Sequence, residues 1–150
     1  MKAAPIACVA VTCAVWLAGA IPVAAADQVQ YEGELKSGTP VDGTVVFRNE
    51  RPRKVKTLNF GAPLEPVFID CESTGPHTAN TTANGMRVNR KLKFKGRGTS
   101  RVDGRFTRKG VMKGVFSYRA TIDFGSGPEE CATETPERFK LFPVPEARAL

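Results

Sequence analysis

The residues able to do chemistry are few and scattered. His77, the only histidine, lies in Thr74-Gly-Pro-His-Thr78. One imidazole cannot supply the two or three nitrogen ligands that hydrolytic zinc sites use, so a solvated loop histidine is the simpler reading. Glu65, Asp70 and Glu72 are the carboxylates a hydrolase would draw on, but such chemistry needs two carboxyl groups held across a cleft. Glu129-Glu130, and Glu134 with Glu137, fall in an expected turn and on polar faces. Lys95-Gly-Arg-Gly98 lacks the helix that would complete a phosphate loop. Asn80-Thr81-Thr82 is a glycosylation sequon, meaningful where the host modifies it. No metal or cofactor set emerges, and the expectation is a non-enzymatic module.

The strongest candidate is basic. From Arg87 to Lys113 there are eleven Lys and Arg against one acid, Asp103, in a chain of net charge +7. Such asymmetry points to an anionic partner and says nothing about fold. On an extended strand Lys91, Lys93, Lys95 and Arg97 share one face, with Leu92 and Phe94 on the other. Successive charges would then lie about 6.5 Å apart, near twice the ~3.4 Å phosphate rise along one DNA strand. Arg101, Arg105 and Arg108 would widen that face from a neighbouring strand. A linear anionic polymer, such as a cell-wall or cell-surface polymer, fits the pattern. A solvated face that keeps strands from pairing with other chains explains the same residues without a ligand, and is the simpler account. Base stacking has no support here, because Phe94 and Phe106 are expected to face the core.

The elements that must position these residues follow from the first stretch of the chain. Lys2 is succeeded by 24 uncharged residues, Ala3 to Ala26, with an apolar middle, Pro22 and Ala24-Ala25-Ala26. This reads as a signal peptide over residues 1–26, cleaved after Ala26. An uncleaved anchor is the rival, since about 20 apolar residues span a bilayer. Export to the cell exterior or envelope, with no membrane insertion after cleavage, is the expectation. Residues 27–150 then retain two cysteines, Cys71 and Cys131. In an oxidising compartment these form one disulfide more readily than either acts as a nucleophile. The 124 residues left are enough for one core and not two, and the chain is expected to be monomeric.

Apolar residues recur at alternate positions in short runs cut by Gly, Pro, Asn and Asp, as in Lys91-Leu-Lys-Phe-Lys95 and Val102-Asp-Gly-Arg-Phe106. Strands are predicted near 28–35, 42–48, 54–60, 66–71, 86–89, 91–97, 100–107, 112–123 and 132–142. The fold class is all-β: an antiparallel β-sandwich of seven to nine short strands over residues 27–142, followed by a loose tail, 143–150. Residues 72–85 read as a long polar loop and 124–130 as a turn. The pattern apolar-x-Gly-x-apolar occurs around Gly33, Gly43, Gly104 and Gly114. Folded as hairpins, it would bring Gly33 near Gly43 and Gly104 near Gly114, leaving gaps for aromatics from a facing sheet. Asp42-Gly43 and Asp103-Gly104 also suit two-residue turns.

Tyr31-x-Gly33, Cys71 after an apolar strand, Val102-Asp-Gly-Arg-Phe106, Gly114-Val-Phe-Ser-Tyr118 and Cys131 before a strand with Phe139 occur in this order. The arrangement resembles small secreted bacterial proteins with an uncharacterised disulfide-containing β-sandwich domain. The resemblance implies a fold and an address, and no activity. Two further functions fit the same chain: inhibition of an extracellular hydrolase through the 72–85 loop, tethered at Cys71, or hydrolysis by the carboxylates named above.

Overall fold

The computed structural model describes residues 26–145; all but the last residue of the expected leader and most of the expected tail lie outside them. Eleven strands are present among the described residues, all antiparallel, with no helix. They are β1 (Asp27–Leu35), β2 (Pro40–Arg48), β3 (Arg51–Phe60), β4 (Val67–Cys71), β5 (Gly75–Ala79) and β6 (Thr81–Arg87). After these come β7 (Lys93–Gly96), β8 (Ser100–Phe106), β9 (Met112–Asp123), β10 (Pro128–Ala132) and β11 (Glu137–Pro143).

All strands belong to one connected, nearly closed, barrel-like sheet; the expected division into two stacked sheets is not confirmed. Eight strands run β7-β8-β9-β11-β1-β2-β3-β6, and β6 lies against β7 without ladder pairing. Side chains close that seam: a Cβ on Gly96 would sit 2.8 Å from Met86 Sδ, and the hydroxyls of Thr81 on β6 and Ser100 at the start of β8 hydrogen-bond beside it. Strand β9 is long enough to serve twice. Its first half pairs with β11, while its second half, Arg119–Asp123, pairs with β10 and carries the flap β10-β4-β5.

Alternation decides which side chains fill the barrel. Strand β8 places Val102, Gly104 and Phe106 inward and Arg101, Asp103 and Arg105 outward, as the period of two requires. The interior is packed with side chains, as expected of an eight-stranded barrel. Phe60 stacks on Phe116 at 3.9 Å and meets Phe139 edge-on at 6.0 Å. Tyr31 meets Phe106 edge-on at 5.9 Å, and its hydroxyl donates to Gly110 O at 2.9 Å.

The four motif glycines lie mid-strand, so neither Asp-Gly pair forms a turn. Gly104 and Gly114 are direct partners across the β8–β9 hairpin, as the motif predicts. In the first hairpin the register instead pairs Tyr31 with Gly43 and Gly33 with Val41. The gaps are filled from within the sheet, not from a facing one. Phe94 covers Gly104, Phe139 covers Gly114, Leu141 covers Gly33 and Leu58 covers Gly43, each from the directly opposite position on a neighbouring strand. A large side chain laid over a cross-strand glycine pins register.

Two segments depart from the expected loops. Residues 72–85 contain β5 and most of β6, and 124–130 contains the start of β10. Gly75-Pro76 and the Thr/Asn-rich run look like breakers locally. Strand β5 tolerates Pro76 because it is an edge strand, paired only with β4. Pro52 is accommodated similarly, beside a register shift in the β2–β3 ladder. Cys71 and Cys131 are direct cross-strand partners of β4 and β10 and are joined by a disulfide, as expected.

Candidate functional site: a basic face on four strands

The predicted ladder along one strand becomes a row across several. Strand β7 begins at Lys93; Lys91 sits in the preceding turn, so it does not continue the line of Lys93 and Lys95. The reason is local. Asn89 Oδ1 accepts the backbone N–H groups of Lys91 and Lys93, at 2.9 and 3.0 Å, and Leu92 takes φ +60°. An extended strand cannot pass through that turn. Arg97 lies just beyond the end of β7, and Arg108 lies in the β8–β9 turn, away from the face.

Across the sheet the register brings together what sequence separates. Lys93 is opposite Arg105, Arg105 opposite Lys113, and Lys113 opposite Lys140, one residue on each of β7, β8, β9 and β11. All four are exposed. Neighbouring strands lie about 4.8 Å apart. The adjacent row holds Lys95, Asp103, Val115 and Arg138. Asp103 pairs with Lys95 at 3.0 Å, both side chains being largely exposed, an interaction of about 0–1 kcal/mol. Arg101, opposite Ser117, extends the face.

Two adjoining hollows of about 790 and 530 Å³ mark this surface, and both reach Asp103 and Val115. They are open and shallow. Arg138 and Lys140 lie 25 and 27 residues beyond Lys113, where the basic stretch ends, so nothing local in the sequence places them on the same face. Their signal was present in Arg138-Phe-Lys-Leu141, which alternates as Lys93-Phe-Lys95 does.

The acidic candidates are all exposed. Asp70 is exposed on β4, Glu72 is exposed in the β4–β5 turn, and Glu65 is exposed in the loop before β4, where Ala62 and Glu65 exchange backbone hydrogen bonds at 3.0 Å. No group of three or more His, Cys, Asp or Glu able to hold a metal occurs among the described residues. Among the described residues Glu129 is the one buried acid, at 8% exposure. It accepts from the Thr74 hydroxyl at 2.7 Å and from the N–H groups of Ser73 and Thr74 at 2.8 and 3.1 Å. The Thr74 hydroxyl and the Ser73 N–H, foremost, hold its pKa below the ordinary glutamate value. His77 Nε2 meets the same Thr74 hydroxyl at 2.7 Å, and its ring stacks on Phe124 at 4.5 Å. This network ties the β4–β5 turn to β10.

Its pH dependence follows from the direction of that shift. A depressed carboxyl stabilises the fold above its unfolded pKa, about 4.3, and the contribution is lost as pH falls through the folded value. Glu129→Gln should therefore lower the melting temperature at neutral pH. The difference from the parent protein should close as both are acidified below that range. A gap that persists at pH 2–3 would mean that Glu129 acts by shape and not by charge.

No protein-family model, curated protein or solved structure matches this chain.

Proposed function

We propose that this chain is an exported, monomeric, non-enzymatic module that binds an anionic polymer, such as a cell-surface polymer, across the outer face of β7, β8, β9 and β11. The observation that carries the reading is the row Lys93–Arg105–Lys113–Lys140, each residue directly opposite the next. Like charges in direct cross-strand positions destabilise a sheet. A bound polyanion would relieve that repulsion at every position at once. Avoiding aggregation would need only scattered charges on exposed or edge strands, not a row through three successive strand pairs. The inhibitor reading loses its main support, because 72–85 is largely strand. Glu65, Asp70 and Glu72, on which the hydrolase reading draws, are all exposed, and none lines the hollows of the basic face.

Binding to an immobilised polyanion should weaken steeply with salt, with a log–log slope near −3 for four contacts at about 0.7 per contact. Changing Lys93 and Arg105 together to Gln should flatten that slope by about 1.4 on the same coefficient. Lys91→Gln should leave it nearly unchanged, because Lys91 stands in the turn. At low salt the double variant should also be slightly more stable, by about 0.2–1 kcal/mol, from relief of like-charge neighbours. Elution of the parent protein near physiological salt, with no change in the double variant, would leave the face a solvated one.

A further inference from the structure

One end of the barrel carries a second, separate basic site. The β2–β3, β6–β7 and β8–β9 turns converge there around two small hollows of about 190 and 300 Å³, which share Arg51, Pro52 and Leu92. The inner wall is apolar: Phe47 and Leu92 are half-buried, and Phe106 is buried. The rim is arginine. Arg108 lines the first hollow, Arg53 and Arg90 the second, and Arg51 both. None of the four is ion-paired among the described residues, including with Glu50, the acid on the rim.

The wall is held under strain. Leu92 adopts φ +60°, a conformation that is uncommon for bulky side chains. It is fixed by its N–H to Asn89 O at 3.0 Å and by its carbonyl accepting from Phe106 N at 2.9 Å. Backbone strain of this kind persists where the surroundings over-determine it, and it clusters at binding sites. Arginine in preference to lysine on this rim matters too, since the planar guanidinium offers paired donors to an oxyanion.

We propose that this barrel end binds a small amphipathic anion, an oxyanion bearing a short apolar chain. Arg51, Arg90 and Arg108 take the head, and Phe47, Leu92 and Phe106 receive the chain. The barrel beyond is filled by Tyr31, Phe94 and Phe106, so only a short chain fits. Calorimetric titration of the full chain with hexyl phosphate, inorganic phosphate and hexanol tests this. Hexyl phosphate should bind at one site, about tenfold or more tighter than inorganic phosphate, a factor that two buried methylene groups supply. Hexanol alone should bind far more weakly. The double variant R51Q/R108Q should lose about tenfold in affinity or more. Leu92→Gly should also weaken binding, because it removes the apolar wall at a position whose positive φ glycine accepts. A Lys93→Gln/Lys113→Gln variant, altered only on the outer face, should bind hexyl phosphate as the parent does. Absence of binding, equal affinity for hexyl and inorganic phosphate, or an affinity moved by the outer-face variant and not by R51Q/R108Q would overturn the proposal.

Discussion

Phe116→Ala is expected to destabilise the protein by about 3–5 kcal/mol, the range for emptying a buried aromatic site. Phe116 has no measurable exposure and stacks on Phe60 at 3.9 Å. Its strand, β9, pairs with β8, β10 and β11 along its length, so the cavity opens where the barrel and the flap share a strand. Relaxation to fill it would have to move three ladders together, which keeps the cost toward the upper part of the range. Total stabilities of single domains are about 5–15 kcal/mol, so this one change removes a large share. Chemical denaturation followed by far-ultraviolet circular dichroism measures it. Phe68→Ala is the control: Phe68 lies on β4 but is 71% exposed, and its loss should cost well under 1 kcal/mol. Similar losses from the two variants would contradict the assignment of the core.

Removing the disulfide should be of comparable size. Cys71 and Cys131 are 60 residues apart in sequence, and a ring of that length corresponds to about 4 kcal/mol on the chain-entropy account. Both positions are buried, so alanine is the replacement that leaves no unpaired polar group behind. The bridge holds β4 to β10 in the flap, outside the eight-stranded ring. In C71A/C131A the first amides to gain hydrogen exchange should be those of Val67–Cys71 and Pro128–Ala132, while β1, β2 and β3 stay protected to the global limit. Uniform loss of protection across all strands would show instead that flap and barrel open as one unit.

What the sequence alone determined rests on local rules. Alternation of apolar and polar residues in Val102–Phe106 and Met112–Phe116 marked strands whose inward and outward sets the structure keeps, because a period of two is a property of the extended chain itself. The β8–β9 hairpin was legible for the same reason: its five-residue connection sets Gly104 against Gly114. Cys71 and Cys131, the two cysteines left after the predicted leader, had only each other to pair with. The outward direction of Lys93, Lys95, Arg101 and Arg105 was also readable, from Phe94, Val102 and Phe106 beside them.

Tertiary structure decided what depends on pairings between distant strands. Strand β5 was hidden because Gly75-Pro76 breaks local pattern, and only its position at a sheet edge makes proline harmless there. The one-strand ladder ended at Leu92 because Asn89 turns the chain at a point where Lys91 still fits the alternation. Lys140 entered the basic row because β11 inserts between β1 and β9, an arrangement set by barrel closure and not by any nearby residue. The arginines at the barrel end come from the start of β3 and from the β6–β7 and β8–β9 turns, whose convergence likewise follows from closure. Side-chain direction is inherited from the residue's own strand, whereas neighbourhood across a sheet is inherited from the register of every ladder between, and no short stretch of sequence encodes that sum.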